Sequence, residues 1–190
     1  MSEAISTDAD HAAATPHAPS AATVTDDVFT ELVREHGPAV YRLARSVVRD
    51  GALADDVAQE TFIKVWRHLP EFRGEGSLRG WILRIAHNQA VSTLRRVRDR
   101  ATDPTQLPQS GDPIGTTRLV EGRLAAQELT AAIDELDELS RAIVVLREVE
   151  GLSYDDIAVT LGVPIPTVKT RLLRSRRTLA RQLAAWSVSS

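Results

Sequence analysis

The sequence predicts an all-α fold of two small helical domains joined by a flexible linker, with a helix-turn-helix in the carboxy-terminal domain. Ala, Leu, Val and Arg dominate, and only 4% of residues are aromatic, which favours helices around an aliphatic core. Apolar residues recur at three- and four-residue steps through two long segments. Between these segments lies ATDPTQLPQSGDPIGTT, whose three prolines, two glycines and low apolar content are typical of a linker.

These patterns divide the chain into a tail at 1–26, a domain at 27–100, a linker at 101–119 and a second domain at 120–187. The tail carries no large apolar residues at any helical or strand period. It cannot bury enough surface to offset the entropy of ordering, so we expect it to be disordered.

Composition excludes several classes of function. The 190 residues include no cysteine, which rules out a disulfide framework, a thiolate zinc site and a cysteine nucleophile. The five histidines show no ligand spacing, and we expect no metal and no cofactor. Residues 1–27 have neither the basic residues nor the apolar run of a signal peptide, and no apolar window reaches the roughly 18 residues of a membrane span. We therefore expect a cytoplasmic protein.

The net charge of −3 hides a strong asymmetry along the chain. Residues 1–33 hold six acidic and no basic side chains, and residues 121–156 hold ten acidic and three basic ones. Residues 79–100 hold six arginines against one aspartate, and residues 163–190 hold six basic and no acidic side chains. Two basic blocks on a mildly acidic chain indicate two separate surfaces that face a polyanion.

In the first domain, Gly37-Pro38 predicts a break or kink in the first helix, and Asp50-Gly51 predicts its end. The next helix, ADDVAQETFIKVWRHL, ends before Pro70. Its apolar stripe contains Ala58, Phe62, Val65, Trp66 and Leu69. A different face of the same helix carries Asp56, Gln59, Glu60 and Ile63.

The loop FRGEGS follows, and a third helix then runs to about Arg98. Glycines allow the loop backbone to approach a ligand closely, which makes it a candidate part of a nucleic-acid surface. Arg84, Asn88 and Ser92 are spaced to share one helix face and could hydrogen-bond an unpaired base. Trp81 fits a buried seam with Leu78, Ile82 and Ile85 better than a stacking platform, although both interpretations stay open.

In the second domain, SRAIVVLREVEG ends on Gly151, Ser153 caps LSYDDIAVTLG, and Gly162 closes that helix before a basic one. Helix, short turn and basic helix form the helix-turn-helix pattern. One stripe of the basic helix, predicted to pack inward, holds Val168, Leu172, Ser175 and Leu179. The outward stripe holds Thr167, Thr170, Arg171, Arg174 and Arg177, flanked by Lys169 and Leu173. An ordinary solvated amphipathic helix is the alternative.

Three segments, in order, resemble the extracytoplasmic-function group of bacterial sigma-70 factors over about residues 27–185. DDVAQETFIKVWR resembles the helix that binds core RNA polymerase, and FRGEGSLRGWILRIAHNQAVSTLRR the loop and helix for the −10 promoter element. SYDDIAVTLGVPIPTVKTRLLRSRRTL resembles the helix-turn-helix that reads the −35 element. The resemblance implies a non-enzymatic protein whose partners are the β′ clamp helices and β flap of core RNA polymerase, promoter DNA and an anti-sigma factor.

The resemblance also implies roles for individual positions. Core polymerase would contact Asp56, Gln59, Glu60 and Ile63, although a solvated helix terminus would also favour acids there. The −10 element would contact Phe72, Arg73, Gly74, Ser77, Arg84, Asn88, Ser92, Arg95 and Arg96. The −35 element would contact Thr167, Lys169, Thr170, Arg171, Arg174 and Arg177. Pro166 and His87 depart from the residues usual in the family.

Two rival functions remain at this point. A helix-turn-helix repressor or activator would bind duplex DNA without polymerase and would not need the face at residues 56–63. A DNA-processing enzyme would need a nucleophile with an arginine cluster or an acidic metal site, and Tyr41 and Tyr154 lack that setting. The acids of DELDE, residues 134–138, are interpreted as the solvated face of a helix.

Overall fold

The computed structural model describes residues 26–74, 76–100 and 131–189, and within these ranges it contains helices and no strand. The first module consists of α1 (Asp26–Val48), α2 (Gly51–His68), a 3₁₀ turn (Leu69–Glu71) and α3 (Leu78–Arg100). The second consists of α4 (Glu138–Val144), which runs into a π-helical turn (Val145–Val149), then α5 (Tyr154–Leu161) and α6 (Ile165–Ser189). Residues 131–134 are also helical. The all-α prediction is confirmed, while the disordered tail and the linker fall outside the described residues.

α1 does not break at Gly37-Pro38, because it continues through Pro38, and the alternative of a kink there stays a prediction. A proline inside a helix costs about 3 kcal/mol. Leu32 before it and Val40 and Leu43 after it are all buried in one core. Each fully buried aliphatic side chain contributes about 1.5–3 kcal/mol, so packing on both sides outweighs the lost hydrogen bond.

The first helix ends close to Asp50-Gly51, as predicted, but a different residue takes the left-handed conformation that ends it. The left-handed residue is Arg49, with φ 61°, and not the glycine. Asp50 belongs to the next helix as its N-cap, and its carboxylate accepts a hydrogen bond of 2.8 Å from the backbone N–H of Leu53. Gly51 is therefore the first residue of α2.

The three helices of the first module pack against one another around an aliphatic core. Its large, fully buried side chains include Val40, Leu43, Val47, Val57, Val65, Ile82 and Leu83. Trp81 is half-buried against this core together with Leu78 and Ile85, and its ring centroid lies 5.2 Å from that of Phe72. Trp81 thus packs along the predicted seam and helps to fix α3 on the core, while contact of its exposed part with DNA stays a prediction.

The helix-turn-helix forms as the sequence predicts. The Ser153 hydroxyl accepts a hydrogen bond of 3.0 Å from the N–H of Asp156, and Gly162 ends α5 in the left-handed conformation, with φ 67°. Val168, Leu172 and Ser175 are buried on the inner stripe of α6. Pro166 lies in the first turn of α6, where its missing N–H removes no intrahelical hydrogen bond.

Replacing Gly162 with alanine is expected to lower the free energy of unfolding by about 1–2 kcal/mol, because a Cβ is strained in the left-handed region. The added methyl would meet no atom within 4 Å, so the loss reports backbone strain alone. Gly51→Ala is the matched control, since Gly51 lies in the first turn of α2, is not left-handed, and would place its Cβ at an ordinary contact distance of 3.6 Å from the Tyr41 hydroxyl. That change should leave the stability unchanged or raise it by up to about 1 kcal/mol. Urea titrations of both variants measure the difference, and equal effects would contradict it.

The two modules pack directly against each other, which the sequence did not indicate. α5 packs against α3 and α4 packs against α1, and one cluster of buried apolar side chains runs through both modules. The sequence predicts that residues 134–138 form the solvated face of a helix. This prediction is wrong for Asp134 and Glu138, which pair with arginines of the first module. Asp134 lies 3.6 Å from Arg49, and Glu138 lies 3.4 Å from Arg98.

Candidate nucleic-acid interface

The candidate polymerase face of α2 is exposed, as predicted. Asp56, Gln59, Glu60 and Ile63 all reach solvent, and the Ile63 side chain keeps 44% of its surface exposed. The helix begins at Gly51 and has no acid in its first turn. Asp56 and Glu60 therefore lie too far along the helix for its N-terminal dipole to account for them. Their contact with polymerase stays a prediction.

A polar cleft joins this face to α3. It is lined by Asp56, Gln59, Glu60, Gln89, Thr93 and Arg96. Lys64 Nζ donates to the side-chain oxygen of Gln89 over 2.5 Å, which ties the two helices together. The sequence patterns did not identify Gln89 and Thr93 as site residues. Their four-residue spacing, which continues towards Arg96, could have identified this second polar face of α3.

The glycine loop before α3 has the special backbone that its sequence suggests. Gly74 and Gly76 have φ of 74° and 86°, and Arg73 and Gly74 are exposed. Ser77 caps α3, since its hydroxyl accepts a hydrogen bond of 3.0 Å from the N–H of Gly80. Phe72 is half-buried against Trp81. Phe72 thus packs on α3, while Arg73 and Gly74 face solvent, and capture of a base by this loop stays a prediction.

The predicted reading face of α3 lies on the surface. Arg84, Asn88, Ser92, Arg95 and Arg96 are all exposed. Arg96 makes only long contacts within its own helix, of 3.4 Å to the Ser92 carbonyl and the Thr93 hydroxyl. Arg96 is therefore available for phosphate, whereas Arg98 further along the helix pairs with Glu138.

His87, one residue before Asn88, is half-buried on α3. Burial lowers the pKa of its imidazole, so the ring stays neutral at neutral pH. It acts here as a packing residue, which explains how a histidine is tolerated where a small or apolar residue is usual.

The stability of the protein should therefore fall with acidification in a way that depends on His87. The unfolded chain takes up this proton near pH 6.5, whereas the folded chain resists it. The His87 contribution is present above about pH 6.5 and is lost as the pH falls from there towards the lower folded pKa. Thermal unfolding at pH 7.5 and 5.5 should show a smaller loss in His87→Leu than in the parent. An equal loss in both would contradict the expectation.

The outward face of α6 carries the candidate −35 residues. Lys169, Thr170, Arg174 and Arg177 are exposed, and Thr167 and Arg171 are half-buried. The Arg171 guanidinium donates from Nη1 to both carboxylate oxygens of Asp137, over 2.8 and 2.9 Å. Asp137 also caps α4 through the N–H of Ser140. An Asp three residues before Ser and an apolar run is a cap signal, so the sequence could have revealed this role.

The carboxylate of Asp137 is held ionised in this arrangement. Partial burial raises its pKa, but hydrogen bonds from Ser140 and the charge of Arg171 outweigh that effect, so its pKa lies below the usual value. Arg171 Nη1 also donates a hydrogen bond of 3.2 Å to the Ser140 hydroxyl, so the guanidinium is held by the first turn of α4 and its cap. The helix therefore presents an oriented guanidinium beside its exposed threonine and arginine side chains.

The two tyrosines occupy structural positions. The ring of Tyr154 lies 4.7 Å from the guanidinium carbon of Arg147 and 5.6 Å from Lys169 Nζ, and Tyr41 packs against the core. Within the described ranges, no group of three His, Asp or Glu side chains is placed to hold a metal ion.

The sequence matches two family models, Sigma-70 region 2 over residues 32–100 and Sigma-70, region 4, over residues 126–179. It is 40% identical over 164 residues to the ECF RNA polymerase sigma factor SigE of Mycolicibacterium smegmatis, covering 84% of this chain and 63% of that protein. It is 32% identical over 166 residues to the RNA polymerase sigma factor NccH of Alcaligenes xylosoxydans xylosoxydans, covering 84% and 89% of the two chains.

Solved structures agree with these matches. The sigma factor RpoE, in complex with the anti-sigma factor NepR from Bartonella quintana, superposes with a TM-score of 0.71 at 26% identity, covering 82% of this chain and 96% of that one. CnrH, in complex with the cytosolic domain of CnrY, gives 0.63 at 28% identity, covering 87% and 93%. The chain belongs to the sigma-70 family of RNA polymerase sigma factors, in its extracytoplasmic-function group.

Among the helices described, none combines the length and the apolar character needed to cross a membrane.

Proposed function

We propose that this protein binds core RNA polymerase through the exposed face of α2, opens the −10 element with α3 and its preceding loop, and reads the −35 element with α6. The observation that carries the proposal is the shared cleft between α2 and α3. It places the candidate polymerase residues Asp56 and Glu60 beside Arg96 of the candidate DNA helix. A promoter strand melted at α3 would thus lie next to the bound polymerase.

The face of α2 favours this function over a repressor or activator that acts on duplex DNA alone. Such a protein would need α6 but not an exposed acidic and apolar face on another module. Ile63 and Trp66 of α2 are 44% and 36% exposed beside that acidic cluster. An exposed apolar patch with a charged rim is typical of a protein partner.

The protein acts in this proposal as a non-enzymatic regulator in the cytoplasm, where core polymerase is found. Both structural relatives named above were solved as complexes, one with an anti-sigma factor and one with the cytosolic domain of CnrY. We infer an anti-sigma partner for this chain as well. It would compete with polymerase for the exposed face of α2.

Run-off transcription with purified core polymerase tests the proposal. A promoter library is transcribed with core alone, with core plus this protein, and with core plus the Asp56→Arg/Glu60→Arg variant. A discrete, promoter-specific transcript that needs the parent protein supports the function. Duplex binding without any promoter-specific transcript would instead identify a repressor or activator.

A further inference from the structure

Arg171, on the outward face of α6, is held against the start of α4 by one of its terminal nitrogens. Nη1 donates to Asp137 Oδ1 over 2.8 Å, to Asp137 Oδ2 over 2.9 Å and to the Ser140 hydroxyl over 3.2 Å. Within the described part of the chain, its Nε and Nη2 donate to no protein group. The remaining N–H bonds of this guanidinium are therefore available to a ligand.

The acid that holds Arg171 is itself fixed in place. Asp137 Oδ1 accepts a hydrogen bond of 3.1 Å from the backbone N–H of Ser140, and Oδ2 accepts one of 2.8 Å from the Ser140 hydroxyl. Ser140 is buried, with 5% of its surface exposed, and α4 packs against α6. The core of the second module therefore sets the position of the carboxylate, and the carboxylate sets the position of the guanidinium.

This anchoring distinguishes Arg171 from the other arginines of the outward stripe. Arg174 and Arg177 are exposed, and neither forms an ion pair with any residue that the structure describes. Exposed, unpaired guanidinium groups suit phosphates, which position a protein on the duplex but carry no sequence information. Fixing a long side chain costs rotamer entropy. For Arg171 that cost falls on folding and not on DNA binding, which favours a contact of one defined geometry.

The free edge of the Arg171 guanidinium matches the edge of guanine. Nε and Nη2 carry parallel N–H bonds, an arrangement that binds two neighbouring acceptors. In the major groove guanine presents two acceptors, O6 and N7, and no other base presents two. A groove of about 560 Å³ beside α6 provides room for a ligand here, since its lining includes Asp137, Thr167, Thr170 and Arg171.

The negative charge of Asp137 has the opposite effect on sequence-independent binding. A carboxylate beside a guanidinium weakens the attraction of that guanidinium for distant phosphates. Loss of the carboxylate should therefore change two quantities in opposite directions. Affinity for an arbitrary duplex should stay equal or rise, whereas the preference for one base should fall.

We propose that Asp137 is a positioning residue for base recognition, which holds Arg171 by Nη1 so that the Nε–Nη2 edge reads one guanine in the duplex bound by α6. This inference rests on the proposed function, in which α6 reads the −35 element. Asp137 acts through Arg171 and does not contact DNA. The helix thus combines one arginine that determines specificity with Arg174 and Arg177, which contact phosphate.

Base preference in duplex binding tests the inference. The full-length protein first selects its preferred duplex from a randomised library. Fluorescence anisotropy then measures its affinity for duplexes changed singly at each base pair, and for duplexes in which 7-deazaguanine, which lacks the N7 acceptor, replaces each guanine in turn. The variants are Asp137→Ser, Arg171→Gln and the two combined. Serine is as good an N-cap as aspartate, but its single oxygen is occupied by the cap.

The matched control is Glu148→Gln, because Glu148 also pairs with an arginine of α6, Arg176. We expect Asp137→Ser to reduce the preference for guanine at one position at least about fivefold, with the melting temperature of the parent. Arg171→Gln should lose the same preference. The double variant should lose no more than either single variant, because both act through one contact. Glu148→Gln should keep every base preference.

Two results would overturn the inference: a change by the same factor at every position in Asp137→Ser, or a loss of guanine preference in Arg171→Gln alone. If Asp137→Ser lowers the melting temperature, Asp137→Asn, which also caps helices well, decides by the same criteria. The assay needs no polymerase. Absence of a promoter-specific transcript would contradict the proposed function and leave a measured guanine preference in place, whereas a parent protein without base preference contradicts this inference directly.

Discussion

Reversing both charges on α2, by Asp56→Arg with Glu60→Arg, is expected to weaken binding of core RNA polymerase at least tenfold while leaving duplex binding by α6 unchanged. A tenfold change corresponds to about 1.4 kcal/mol. Charged pairs that lose water at an interface are worth more than surface pairs, and truncating one partner costs about 2–5 kcal/mol. Reversal adds repulsion to that loss. Both side chains are exposed, so the fold should survive.

The control for this variant is Glu31→Arg with Glu35→Arg on α1. These acids have the same four-residue spacing and the same exposure, so the net charge and the helix geometry change in the same way. Native gel shift or fluorescence anisotropy with labelled core polymerase measures the affinity for polymerase. The same assay with a labelled −35 duplex measures the affinity for DNA. Equal losses in the two double variants would show that only total charge matters and would remove the assigned role of α2.

Local signals in the sequence predict the helices well, because each signal acts within a few residues. Ser153 and Gly162 delimit α5 as expected, and the stripe that contains Val168 and Leu172 packs inward. The same locality explains why α1 does not break at Gly37-Pro38. A proline rule describes the helix alone, whereas the core on both sides of Pro38 decides the outcome.

The docking of the two modules could not be predicted from local patterns. The Glu150 carboxylate accepts hydrogen bonds from Arg42 and Arg79 of the first module, which lie 108 and 71 residues away along the chain. In a sequence, a glutamate beside a glycine turn is indistinguishable from an ordinary solvated acid. Only the packing of α3 against α5 and α1 against α4 brings these charges together. Exposure of most candidate residues was predictable, because it follows from helix periodicity, but the half-burial of Phe72, Thr167 and Arg171 was not.

Replacing Asn88 with alanine is expected to reduce transcription about tenfold to a hundredfold and to relax the preference for one base of the −10 element. A side-chain amide that forms two hydrogen bonds with a base contributes about 1–3 kcal/mol of discrimination. Asn88 is exposed on α3 in line with Arg84 and Ser92, so truncation removes the contact without disturbing the core. Burial of the neighbouring His87 and Gln89 fixes the helix from which Asn88 projects.

Arg95→Ala provides the contrast, because Arg95 lies further along the same helix and is assigned to phosphate. A phosphate contact carries no sequence information, so its loss should weaken all promoters similarly and reduce the salt dependence. Transcription from promoters varied singly at each −10 position separates the two effects. If Asn88→Ala lowers every promoter by the same factor, Asn88 contacts the backbone, and base reading must pass to the loop around Gly74.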